Sequence, residues 1–168
     1  MKPINLLFAL AITLAPTFAM AHSYSHGDVE IGHPWSRPTP PGTPVGVGYM
    51  AITNNGKSDI TLTGAETDRA ARVSIHETSM KDGMMSMKHM HGGLVIPAGE
   101  TVKLEPQGHH LMLEQLKEPL KADERVPLTL HFDGADDMDV ELAVGSLDGG
   151  QKMPDMKMDH SEHQHHSH

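Results

Sequence analysis

The chain has 168 residues, with 13 Lys+Arg against 22 Asp+Glu and a formal net charge of −9. It carries no basic stripe and no aromatic-basic interleaving, which argues against nucleic acid as a partner. Zero cysteines exclude disulfides, thiol catalysis, a cysteine-type zinc site and a blue-copper centre, so soft-ligand chemistry has to run through its 14 histidines and 13 methionines.

In chain order, Lys2 precedes an apolar run of about ten residues at 6–15, followed by Ala19-Met20-Ala21. A charged start, a short apolar core and a small-x-small site form the pattern of a secretory signal peptide, here 1–21. The run falls short of the ~20 apolar residues that span a bilayer. With no lipidation cysteine, the expected product is a soluble periplasmic protein without membrane insertion. Residues 22–28 read as a polar lead, 29–147 as one domain large enough for a core of its own, and 148–168 as a flexible Met/His-rich tail.

Inside the domain the sequence predicts strands. Residues 49–53 alternate and break at Asn54-Asn55-Gly56; 60–63 alternate again, and 72–76 follow. Asp82-Gly83 marks a turn before 84–90, and further strands are expected at 94–96, 101–104, 110–116, 127–132 and 138–144. Punctuation by Gly, Pro and Asp-Gly at a spacing of roughly 8–12 residues is the pattern of an all-β sandwich or small barrel. Two packed antiparallel sheets of Greek-key kind are the expected architecture. The one plausible helical stretch, 113–120, is short and interrupted by Pro119. Trp35 with the proline-rich 38–44 reads as a stiff extended segment with an aromatic anchor.

His76, Met87, His110 and Met112 are the candidate metal ligands. His110 and Met112 lie two apart on a strand, so they share a face, while Leu111 and Leu113 point into the core. His76 ends a strand whose Val73 and Ile75 face inward, and Met87 comes from the segment after the Asp82-Gly83 turn. Each residue alone is weak: a lone His at a strand end is usually solvated, and a lone Met is usually core filler. The run Met84-Met85-Ser86-Met87-Lys88-His89-Met90-His91 shifts that balance, because alternation buries only about half of a strand. Imidazole with uncharged thioether suits copper, above all Cu(I), whereas Mg²⁺ or Ca²⁺ would call for oxygen ligands. An adaptable Met-rich protein-binding surface is the alternative for such exposed methionine. Met84 or Met85 in place of Met87, and His109 in place of His110, stay open; His110 is preferred because Met112 follows it at i+2.

The stretches His33 to Met50 ("HPWSRPTPPGTPVGVGYM"), Ser74 to Met90 ("SIHETSMKDGMMSMKHM") and His110 to Leu120 ("HLMLEQLKEPL") resemble the periplasmic copper chaperones of the PCu(A)C type. The resemblance covers about 29–144. It implies a cupredoxin-like β-sandwich without the blue-copper cysteine, and Cu(I) ligands at His76, Met87, His110 and Met112. It also implies delivery of copper toward respiratory cytochrome oxidases, with an oxidase subunit or another assembly chaperone as acceptor.

In the tail, Met153, Met156 and Met158 precede His160, His163, His165, His166 and His168. A Cys-poor, His-rich tract is a compositional metal-binding signal, and it is expected to gather additional copper, including Cu(II). His22 and His26 could join it. No Ser/His/Asp order, phosphate-cradling loop or dinucleotide fingerprint is present, so a carrier rather than an enzyme is expected. Copper sequestration for resistance is the runner-up, and a copper-dependent redox enzyme comes behind it. Because imidazole protonates near 6.5 and thioether does not, Cu(I) affinity should fall as pH drops below about 6. An affinity flat from about pH 7 to pH 5 in an anaerobic competition assay would remove His76 and His110 from the site.

Overall fold

The computed structural model describes residues 23–145. The signal peptide at 1–21, His22 and the tail at 148–168 lie outside the described residues. Eleven strands follow one another with no helix among the described residues: β1 (Ser23–His26), β2 (Val29–Ser36), β3 (Val45–Asn54), β4 (Ile60–Glu66), β5 (Ala70–Lys81) and β6 (Met84–His89). After these come β7 (Leu94–Ile96), β8 (Thr101–Leu104), β9 (His109–Leu116), β10 (Arg125–Asp133) and β11 (Met138–Val144).

The all-β class is as expected, but the strands form one hydrogen-bonded sheet rather than two separate ones. Running β5-β9-β3-β2-β11-β10-β4, the sheet returns to β5 through the single pair Ala65↔Val73 and so closes like a barrel. Most ladders are antiparallel; β2 with β11 and β8 with β9 run parallel. Residues 113–120 form no helix. Strand β9 continues through them to Leu116, and Gln115 with φ +54° breaks its alternation near the end. The polar lead is part of the sheet: β1 pairs with β2, and the Tyr24 hydroxyl accepts the Glu141 N–H at 3.2 Å.

Alternation places Ile31, Ile52, Leu62, Leu111, Leu113 and Leu142 inside the barrel with essentially no exposure. Gly46 and Gly48 on β3 lie opposite Leu113 and Leu111 on β9. A Cβ at Gly46 would come within 2.9 Å of Leu120 Cδ1, and one at Gly48 within 3.3 Å of Leu111 Cβ. The glycines are the space into which the β9 leucines pack. Thr39 ties the proline-rich segment to the same place, since its N–H and its hydroxyl bond the Leu120 carbonyl and N–H, each at 2.9 Å. Trp35 is half-buried, packed at 4.6 Å on Tyr49 with the Arg37 guanidinium 5.8 Å from its ring.

One hairpin departs from this compact arrangement. Asp82 (φ +52°) and Gly83 (φ +76°) form its two-residue turn, with Lys81 opposite Met84. Both central residues lie left-handed, as the tight hairpin turns that match strand twist require. Strand β5 pairs with β9 as far as Glu77, and the Thr78 N–H still donates to the Gly108 carbonyl at 3.0 Å, so residues 79–86 project as a two-stranded ribbon. Leu111→Ala should cost roughly 2–5 kcal/mol in chemical denaturation of the metal-free protein. Met112→Ala, on the outer face of the same strand, should cost clearly less.

Candidate metal centre

The ladder of β5 with its neighbours builds the site. His76 lies directly opposite His110 of β9 on one side and His89 of β6 on the other. Its ring stacks on both, at 5.8 Å from His110 and 5.0 Å from His89 between centroids. His91 extends the row, tilted against His89 at 3.9 Å. His89, His76 and His110 thus stand side by side on three strands of the outer face, backed by Ile75 and Leu111 in the core, and His91 continues the row from the turn after β6.

Met112 lies opposite Ser74, one step along the face from this row, and Met87 lies opposite Thr78, one step the other way. All four residues chosen from the sequence therefore share one face, but the two methionines flank the histidines. Four residues of β5 separate their levels, about 13 Å at ~3.3 Å per residue. An ion using both would have to sit on the imidazole row, with a flexible thioether reaching in from each side. His109 alternates onto the other face, opposite Glu77, and Met84 does the same opposite Lys81. Met85 shares the face with Met87 but sits one step farther out, opposite Met80.

Sequence reasoning missed His89 as a member of the row. The signal was present, because a two-residue turn at Asp82-Gly83 makes partners of positions equidistant from it. That symmetry puts His89 against His76 without any structure.

Hydrogen bonds settle which ring nitrogens are free. His110 Nδ1 is 3.2 Å from the Gly108 carbonyl, which only accepts, so Nδ1 carries the proton and Nε2 keeps its lone pair. Ser74 donates its hydroxyl proton to Glu114 at 2.5 Å. Its oxygen, 3.0 Å from His76 Nε2, must then accept from that nitrogen. His76 is left with an Nδ1 lone pair that is buried and has no partner. Glu114 is itself held by Arg72, and the bonds from Arg72 and Ser74 keep its carboxyl below the ordinary carboxylate range. A carboxylate acting through a hydroxyl thus fixes the tautomer of a candidate ligand, the outer-shell arrangement common around metal-bound histidine.

Burial, and then the neighbouring His89 and His110, push the His76 pKa below its ordinary 6.5; Glu114 opposes the shift. The sign favours metal binding, because the neutral, ligating form of His76 persists to lower pH than in a free histidine. Among the described residues, no three His, Cys, Asp or Glu groups converge as a metal cage.

Residues 29–144 match the family described as "Putative lipoprotein LpqE-like". The chain belongs to the LpqE-like family. A protein of Leifsonia xyli subsp. xyli named "Putative lipoprotein Lxx21020" is 29% identical over 137 residues, covering 82% of this chain and 81% of that one. The solution structure of Cu(I)-DR1885 from Deinococcus radiodurans is 31% identical with a TM-score of 0.57, covering 76% of this chain and 83% of that one. The copper-bound PCuAC domain from PmoF2 has a TM-score of 0.65 at 22% identity, covering 74% of this chain and 98% of that one, a likeness of fold. The PCu(A)C resemblance seen in the sequence is thereby borne out for this LpqE-like chain.

In the metal-free protein, an NMR titration of the imidazole protons should place the His76 midpoint below 6.5. His89→Ala should raise that midpoint part of the way back, since burial remains. A His76 midpoint at or above 6.5 would contradict this account of the row.

Proposed function

We propose that this protein is a periplasmic copper chaperone that carries Cu(I) on the β5–β6–β9 face and passes it to the copper centre of a respiratory cytochrome oxidase. The observation that carries the reading is the strand register, which puts His76, His110, Met87 and Met112 on one face of three adjacent strands. Copper is the bound metal in related structures, as Cu(I) in DR1885 and as copper in the PCuAC domain from PmoF2. Donor chemistry agrees. Two neutral imidazoles and two thioethers add no charge to a monovalent ion, and sulfur favours the reduced state.

His76 would bind through Nδ1 and His110 through Nε2, the nitrogens their hydrogen bonds leave free. Met112 and Met87 would complete the set from either side. His89, stacked on His76 and mostly exposed, is placed to hold the ion during exchange. A carrier needs such an accessible ligand, whereas an oxidase needs an open position for substrate on a metal that changes oxidation state. The protein therefore acts as a carrier rather than an enzyme. The tail at 148–168 adds imidazole-rich capacity for further copper, including Cu(II), and raises the local copper concentration near the face.

Anaerobic Cu(I) titration against a competing chelator tests the ligands, comparing the full chain, the form ending at Leu147, and that form with Met112→Ala. One tight site should survive truncation, and Met112→Ala should weaken it by more than the ~10–100-fold that loss of an outer-shell partner costs. Tight binding confined to the full chain would place the copper on the tail and overturn the assignment. Delivery is tested by mixing the loaded protein with the copper-free copper-binding domain of an oxidase subunit. Transfer supports the chaperone, and retention of the ion would leave sequestration.

A further inference from the structure

The projecting ribbon of β5 and β6 carries three methionines that the copper face does not fully use. Met80, Met85 and Met87 are 62%, 65% and 53% exposed, a cost that packing does not explain. Met80 lies directly opposite Met85, and Met87 follows Met85 two residues along on the same face. Directly opposed strand residues have Cβ atoms about 4.5–5.5 Å apart and diagonal ones about 7–8 Å, within reach of long side chains. Three thioethers can therefore meet at one point above the ribbon.

The charges of the hairpin are segregated away from that point. Within the hairpin the methionine face carries His76, Thr78 and Met80 of β5 and Met85, Met87 and His89 of β6, none of them a lysine, arginine or carboxylate; the Arg72–Glu114 pair shares that face only farther back, beyond Ser74 and Met112. The other face carries Glu77 opposite Lys88, and Lys81 opposite Met84. Met84, 73% exposed, is the one methionine of the ribbon on that charged face. The methionine face offers an incoming cation polarizable sulfur with no ammonium beside it, and no carboxylate to favour a hard ion.

We propose that Met80, Met85 and Met87 form a second, all-thioether Cu(I) site at the tip of the ribbon, sharing Met87 with the histidine site. This rests on the copper reading above and adds a path to it. Met87 stands one step, about 7 Å, from the Met80/Met85 pair and one step from the His76/His89 pair. An ion taken up at the exposed tip reaches the imidazole row by exchanging Met80 and Met85 for His89 and His76 while Met87 stays bound. No step leaves the ion without sulfur or imidazole, and none requires a change of oxidation state. The weaker, outermost site serves entry and exit, and the row beside the barrel serves retention.

The test is anaerobic Cu(I) titration of the full chain with ¹³C-labelled methionine methyl groups, assigned by single Met→Leu variants. The first equivalent should shift the methyls of Met112 and Met87. The second should shift those of Met80 and Met85 and move Met87 again. Met80→Leu with Met85→Leu, which keeps apolar bulk without sulfur, should abolish the second response and leave the first intact. If the Met80 and Met85 methyls stay fixed while those of Met153, Met156 and Met158 move, the tail takes the second ion and the proposal is wrong. It is equally wrong if Met80 and Met85 respond together with Met112 at one equivalent, which would mean a single site. Silence of Met112 and Met87 at the first equivalent would instead sink the histidine-site assignment, and the tip methyls would still report on their own.

Discussion

Strand β5 hydrogen-bonds to β9 along one edge and to β6 along the other, and every feature of the proposed copper face depends on that double register. A one-residue slip on either side would send His110 and Met112 into the core, or turn Met87 and His89 to the charged face of the hairpin. Two unrelated devices prevent it. On the β9 side the leucines at 111 and 113 fit against Gly48 and Gly46, so burial fixes the register. On the β6 side no strand residue is buried; the left-handed pair Asp82-Gly83 sets the register at the turn, and Met90, packed against the core with its N–H on the Ile75 carbonyl at 2.9 Å, anchors the other end.

These devices hold the proposed ligands to different degrees. His110 is 5% exposed and is held by Gly108, while His76 is held through Ser74 and Glu114. Met87 is 53% exposed on an edge strand with a single neighbour. The face thus joins hydrogen-bonded, tautomer-fixed imidazoles on the barrel to an exposed thioether on a ribbon with one strand neighbour. The Arg72–Glu114 pair belongs to the barrel half. Arg72 is largely exposed, so the pair adds little to stability. Its effect is orientation, passed through one hydroxyl to His76 Nε2.

Much of this was legible in the sequence where one strand carried its own information. Strands β7, β8 and β11 fall on the residues where alternation and punctuation put them, and Leu111 and Leu113 face inward as the period of two requires. Strands β1 and β2 were not legible as such. The first has only Tyr24 to bury among Ser and His, and the second contains Pro34 at a bulge beside His33 with φ +47°. Closure of the sheet was invisible for a similar reason, since the single pair Ala65↔Val73 leaves no pattern in the chain. At the site, shared faces could be read from spacing, but Ser74 and Glu114 lie 40 residues apart and meet only across the β5–β9 ladder.

Placing the proposed soft ligands partly on an edge ribbon would have a thermodynamic consequence. Local opening costs free energy in proportion to the buried contacts it breaks, and β6 is exposed at all six positions. Lifting it from β5 would remove Met87 and His89 from the face while leaving His76 paired with β9, along with Ser74, Glu114, His110 and Met112. The ion would then keep its barrel-side ligands and expose the side from which an acceptor's ligands can attack. Were all four ligands on barrel strands, the same exposure would require breaking the leucine packing at β3 and β9, at a cost comparable to unfolding. On the proposed ligand set, such a ribbon would let Met87 and His89 leave and return while the barrel strands keep His76, His110 and Met112 in place.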